Sequence, residues 1–104
     1  VKLYLVTRRD LPPGARASQL CHAGRAFAAQ HAEVERAWFE TSNTLALLEA
    51  RDEQALMRLA WDATMAGVPW SYFREPDLAD TVTAIAIGPS GAALVRRLPL
   101  ALAA

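Results

Sequence analysis

Gln19 and His22 stand three residues apart, a spacing that puts both on one face of a helix. An imidazole titrates near neutrality and serves as a proton acceptor or donor, and a neighbouring carboxamide can orient a loop or a ribose. The pair follows the turn sequence Pro12-Pro13-Gly14, which itself follows the apolar run Leu3-Tyr4-Leu5-Val6. A turn between a strand and a helix is a common place for a site in α/β proteins. The first N–H groups of the helix lack backbone partners there and attract anions. Arg8, Arg9, Arg16 and Arg25 flank this segment, and planar guanidinium groups suit phosphate. If the chain handles phosphate or RNA, the contact is expected here. Ten arginines against a single lysine over the chain also fit a plain compositional bias that carries no function.

Charge and cysteine content narrow the chemistry. The formal net charge is zero, which argues against an indiscriminate nucleic-acid binder. Its distribution is uneven: residues 1–30 carry an excess of four positive charges, residues 31–80 an excess of six negative, and Arg96 and Arg97 add two positive. A positive face near the first helix is therefore expected. One cysteine, two histidines and no paired cysteines give no basis for a disulfide or a structural zinc site. No metal or cofactor is indicated. Cys21 falls on an apolar stripe and reads as core rather than nucleophile. His31 reads as a surface residue. No run resembles a signal peptide or a membrane span, so the cytoplasm is the expected compartment.

Elements must hold these residues in place. One domain is expected from 104 residues, with enough apolar content to build a core. Residues 1–7 are apolar on both alternating faces, as in a central strand covered on two sides. Residues 15–30 read as a helix with Ala17, Leu20, Cys21, Gly24, Phe27 and Ala28 inward. Residues 33–39 either continue it or form a second short helix, with Trp38 and Phe39 in the core. A short strand over 44–50 follows. Asp52 is placed to cap a helix over 53–66, and Gly67 to end it. Trp61 and Trp70 read as core. Residues 70–73 form a strand candidate, 74–80 a polar loop, and 81–87 a fourth strand closed by Gly88-Pro89. Ser90 is the candidate cap of a last helix over 91–98. The order β-α-β-α-β-β-α predicts an α/β fold, a three-layer α/β/α sandwich. Its sheet is a small four-stranded mixed one with helices on both faces, and the last two strands are antiparallel.

Three segments carry a resemblance. Arg8-Arg9-Asp10-Leu11 ends the first strand, Gln19-Leu20-Cys21-His22-Ala23 lies on the first helix, and Thr83-Ala84-Ile85-Ala86-Ile87-Gly88-Pro89 forms the fourth strand. In order and spacing the chain resembles the type 2 peptidyl-tRNA hydrolases over almost its whole length. The resemblance implies hydrolysis of the ester between a peptidyl group and the terminal ribose of tRNA, with tRNA as partner and a homodimer as assembly. It implies catalytic roles for Gln19, His22 and Thr83. His22 is a general base or orienting group, or a helix histidine bonded to the nearby loop. Gln19 orients the loop or the ribose, or caps backbone. Thr83 holds a water or the ester carbonyl, or is a strand former. Arg16 and Arg74 are candidates for phosphate or oxyanion contact, with Arg8 and Arg25 as further substrate-binding positions.

The chain departs from the family pattern at three positions. The family's lysine falls on Ala15, its acidic residue on Ser71 and its first threonine on Glu75. Arg16 is the nearest cation and serves only as a fixed charge. Asp77 or Asp80 is the acidic group that a remodelled loop would supply. These departures motivate a second reading, a tRNA- or protein-binding domain that kept the fold without the reaction. A third is an interaction module using the apolar tail, residues 98–104. Asp10 reads as structural, holding the turn by a side-chain-to-backbone bond.

Overall fold

A computed structural model describes residues 1–103, and Ala104, the last residue of the apolar tail, lies outside them. The chain runs β1 (Lys2–Arg8), α1 (Pro13–Gln30), α2 (Ala32–Thr41), β2 (Thr44–Ala50), α3 (Glu53–Ala66), β3 (Trp70–Glu75), β4 (Thr81–Ile87) and α4 (Ala92–Val95). Single 3₁₀ turns at Pro76–Leu78 and Pro89–Gly91 precede β4 and α4. The four strands form one sheet in the order β2-β1-β4-β3. β1 and β2 are parallel, while β4 runs antiparallel to both of its neighbours.

Helix placement follows from chain direction. The first crossover moves from β1 to the β2 edge, and the second moves back across the whole sheet to β3. Two crossovers of one hand that travel in opposite directions leave their helices on opposite faces. Accordingly α1 places Leu20, Ala23 and Phe27 against Leu3, Leu5, Ala84 and Ala86. α3 places Leu56, Leu59, Ala60 and Ala63 against Val6, Val82, Ile85 and Ile87 on the other face.

The ends of α1 and α3 follow their sequences. Pro13 opens α1 where a missing N–H is harmless. Asp52 accepts from the Ala55 N–H at 2.9 Å, and Gly67 closes α3 at φ 70°. His31 breaks the first helical run, so α2 is a separate short helix.

Several expectations need correction. His31 is half-buried: Nε2 lies 2.8 Å from the Trp70 carbonyl, and the ring packs on Phe27. Cys21 is exposed. Helix α1 lies mainly over β3 and β4, leaving its β2-side flank open, so part of the apolar stripe has nothing to cover it. Trp38 is buried as expected, with its indole N–H donating to the Thr44 carbonyl, but Phe39 and Trp61 are 59% and 65% exposed. The last helix is shorter than expected, and Ser90 makes no cap. The start of the tail lies along β2: Glu49 N–H donates to Pro99 and Ala101 N–H to Leu47, at 3.0 and 2.8 Å. That pairing covers part of an otherwise open sheet edge.

Candidate active site

A break in strand register builds the centre of the site. Phe73 pairs with Ala84, but Arg74 pairs with Val82, so Thr83 is the extra residue of a β-bulge. In a regular strand Thr83 would share the face of Ile85, under α3. The bulge instead turns both Thr83 and Ala84 toward α1. There Thr83, with no exposed surface, donates its hydroxyl to Gln19 Oε1 at 2.6 Å. The Thr83 carbonyl accepts from the Thr7 hydroxyl at 2.9 Å, which fixes the bulge against the central strand.

The other end of the Gln19 amide reaches β3. Gln19 Nε2 donates to Glu75 Oε1 at 2.9 Å. A carboxylate only accepts, so the amide nitrogen must face Glu75 and its oxygen is left for Thr83. The result is a relay from Thr83 through Gln19 to Glu75, buried at two members and half-buried at the third.

Helix α1 reads the same row of β3 at two more points. His22 stacks on Phe73 with ring centroids 4.3 Å apart and planes 14° from parallel. Ser71 donates to Gln30 Oε1 at 2.6 Å. His22 itself is exposed and makes no hydrogen bond among the described residues. It lies about one helical turn from Gln19, and the Phe73 ring it stacks on is two residues from Glu75 in the same row of β3.

Arg8 braces the strand end from the opposite face. Nε and Nη2 bond the two oxygens of Asp10, each at 3.0 Å, and Nη1 reaches the Thr81 hydroxyl and the Val82 carbonyl, each at 3.2 Å. The Asp10 bonds raise the Arg8 pKa, and the same bonds hold the Asp10 carboxyl below its ordinary range. Glu53 Oε2 accepts from the Val82 N–H at 2.7 Å. Together Arg8 and Glu53 hold the residue before the bulge. Asp10, expected to bond backbone, is instead the partner of Arg8.

The remaining sequence candidates lie outside the relay. Arg16 is committed to an internal clamp, with Nε on the Leu11 carbonyl at 2.7 Å and Nη1 on Glu49 Oε2 at 3.0 Å. Arg74 is exposed on the far face of β3, its guanidinium 5.0 Å from the Tyr72 ring centroid. Asp80 is exposed in the β3–β4 turn at φ 60°, and its N–H donates to the Glu75 carbonyl at 3.0 Å. Arg25 stands on the rim of an apolar groove of about 610 Å³ between α1 and β2. Gln19 and Thr83 therefore converge, His22 lies about one helical turn from Gln19, and Arg8 braces the strand end from behind.

Sequence reasoning missed Glu75, Thr7, Glu53 and Phe73. Thr7 had a signal, as a hydroxyl in an otherwise apolar central strand. Glu75 was marked only as the position of the family's first threonine, with no role given, because residues 74–80 read as loop whereas β3 runs to Glu75. The relay as a whole pairs a carboxylate with a fixed amide and hydroxyl beside an imidazole, a set suited to activating water and holding a carbonyl. Among the described residues no group of three or more His, Cys, Asp or Glu is placed to hold a metal ion, and no helix is long and apolar enough to cross a membrane.

Comparison with known proteins adds two findings. Residues 1–102 match the family model described as "Peptidyl-tRNA hydrolase PTH2". The chain is 29% identical over 107 residues to a protein of Thermococcus sibiricus named "Peptidyl-tRNA hydrolase", covering 93% of this chain and 91% of that relative.

Proposed function

The chain belongs to the peptidyl-tRNA hydrolase PTH2 family, and from that membership we propose that it hydrolyses the ester joining a peptidyl or N-blocked aminoacyl group to the terminal ribose of tRNA. Such a reaction needs an activated water, a stabilised oxyanion and a held RNA. The observation that carries the reading is the Thr83–Gln19–Glu75 relay, aimed by a bulge and positioned where β3 and α1 meet. Buried polar groups add little net stability over apolar ones of the same shape, so a relay of this kind is better accounted for by work than by folding. The exposed imidazole of His22, stacked on Phe73 in the same row of β3, adds a group able to donate or accept a proton. Substrate would be met in the cytoplasm. A homodimer, which the resemblance implies, would have an apolar face available in the groove beside β2, where Leu45 is 51% exposed. Light scattering of the chain and of Leu45→Glu reads that directly.

The test of the activity is single-turnover deacylation of N-acetyl-aminoacyl-tRNA by excess protein. Cleavage well above the buffer rate supports the reading. A silent protein that still shifts tRNA in a gel supports the binding-domain reading instead. That second reading has its own support: Ala15 brings no cation to the start of α1, and Arg16 beside it is occupied by Glu49.

A further inference from the structure

The relay ends on a carboxylate whose capacity to accept is unfilled. Glu75 Oε1 takes the Gln19 amide at 2.9 Å, while Oε2 has only the Asp77 N–H at 3.5 Å, the limit of a hydrogen bond. An ionised carboxylate has room for about four such bonds. Four other acids gathered at this end of the sheet are occupied, while Asp77 and Asp80 are exposed in the β3–β4 turn and touch no member of the relay through their carboxylates among the described residues. Asp10 is held by Arg8, Glu49 by Arg16, Asp52 by the α3 N-terminus, and Glu53 by the Val82 N–H. Glu75 is half-buried and forms no ion pair among the described residues. It faces α1, on the same side of β3 as Phe73 and the His22 ring stacked upon it.

We propose that Glu75 is the general base of this chain's hydrolytic reaction, with Gln19 and Thr83 as its positioning residues. The assignment rests on the hydrolase reading above. Oε2 takes a proton from a water as the water oxygen bonds to the ester carbonyl carbon. The tetrahedral adduct then breaks its bond to the ribose oxygen. The proton on Glu75 passes to that departing oxygen and the carboxylate is restored. Ester and water become a carboxylic acid and a ribose hydroxyl, with no oxidant, metal or co-reactant consumed. Gln19 fixes the carboxylate by donating to Oε1, so the lone pairs of Oε2 are left toward the water. Thr83 fixes Gln19 by donating to its Oε1. The Gln19 amide is a neutral donor, so it holds the carboxylate in place without pairing its charge.

Glu75→Gln separates base from scaffold, because the new amide oxygen still accepts from Gln19 while its affinity for a proton is gone. Single-turnover kcat/KM for N-acetyl-aminoacyl-tRNA is measured from acid to neutral pH for the parent, E75Q and E75D, with thermal melts alongside. The parent is expected to lose rate on its acid side as one carboxylate is protonated. E75Q is expected to fall by about 100-fold or more, the scale of a positioned general base, and to lose that acid limb while melting near the parent. E75D keeps the charge at shorter reach, so it should fall by roughly tenfold and keep the limb. If E75Q does not fold, a loss of rate in folded E75D with the limb intact carries the same support. An E75Q enzyme within about threefold of the parent, with the same pH profile, overturns the assignment and leaves the hydrolase reading standing. A parent that does not cleave overturns both.

Discussion

Thr83→Val replaces a hydroxyl by a methyl of nearly the same shape at a position with no exposed surface. Packing is conserved, so the change in stability isolates the polar relay. The substitution removes the 2.6 Å bond to Gln19 Oε1. Gln19 is only 4% exposed, so water cannot replace the lost donor without opening the site. An acceptor stranded in this way costs about 1–3 kcal/mol. For a domain of about 100 residues each kcal/mol moves the melting midpoint by roughly 4–8 °C, so a drop of about 8–16 °C is expected at the middle of that range. Gln19→Leu alone leaves the Thr83 hydroxyl with the Phe73 carbonyl at 3.4 Å, and leaves Glu75 to water. The double variant removes both buried partners and leaves an apolar contact, which is nearly neutral when the shapes match. Urea unfolding of the parent, the two single variants and the double closes a cycle. The double should be more stable than the sum of the singles predicts, by about 1–2 kcal/mol. It should also be the clearest separation of stability from function, since the recovered fold has lost the group that orients Glu75. Additivity within about 0.5 kcal/mol would refute the relay as a coupled unit.

Other perturbations probe the frame around the site. Gly91→Ala places a methyl 2.5 Å from Ile87 Cγ2 and 2.9 Å from Val68 Cγ1, so urea unfolding should show a loss of about 1–3 kcal/mol; an unchanged midpoint would mean that the 3₁₀ turn before α4 relaxes freely. Ala79 sits at φ 55°, where a Cβ is disfavoured by about 1–2 kcal/mol and glycine gives back part of that in chain entropy. Ala79→Gly should therefore raise the melting midpoint slightly, and a clear drop would contradict the left-handed turn. The Arg8 bonds hold the Asp10 carboxyl below its ordinary range, so that pair stabilises the fold above the unfolded-state pKa and loses its effect as pH falls through the lower folded-state value. Asp10→Asn should be less stable than the parent at neutral pH, and the gap should close on acidification below about pH 4. A gap that persists in acid would assign the loss to packing instead.

Much of the fold was legible because local signals agreed with one another. The apolar run before Pro12-Pro13-Gly14 became the central strand, Asp52 and Gly67 marked both ends of α3, and the strand–helix order gave helices on both faces of a mixed sheet. The surface was less legible. Cys21, Phe39 and Trp61 are apolar residues at helical spacing, yet each is exposed. Periodicity tells which residues share a helix face but not how much of that face the sheet is wide enough to cover. Helix α1 leans toward β3 and β4, so its other flank opens onto the groove beside β2, lined by Leu45 and Leu47. The four candidate arginines divided for a similar reason. Nothing in the spacing of Arg16 tells that Glu49, far along the chain, returns beside it to close a clamp.

The site was legible in its helix and hidden in its strands. Gln19 and His22 could be read because their spacing and their helix share one period. Thr83 could be named, but simple alternation gave it the face of Ile85, where it would have had no partner. The extra residue of a bulge leaves no mark in composition, yet it turns the side chain from one layer of the sandwich to the other. Glu75 was hidden by the same element. β3 runs two residues beyond the expected 70–73, and those residues alternate, so Arg74 turns toward Tyr72 while Glu75 turns toward Gln19. A strand one residue out of register at this end would exchange them, presenting a guanidinium to the Gln19 amide and a carboxylate to Tyr72. The Gln19 amide would then have to turn its oxygen to the guanidinium and its nitrogen to Thr83, and the relay would lose its carboxylate. The relay thus ties the register of β3 to the chemistry of the site. A variant that removes the extra residue, such as deletion of Thr83, should lose activity and stability together, whereas Thr83→Val with Gln19→Leu should lose activity alone.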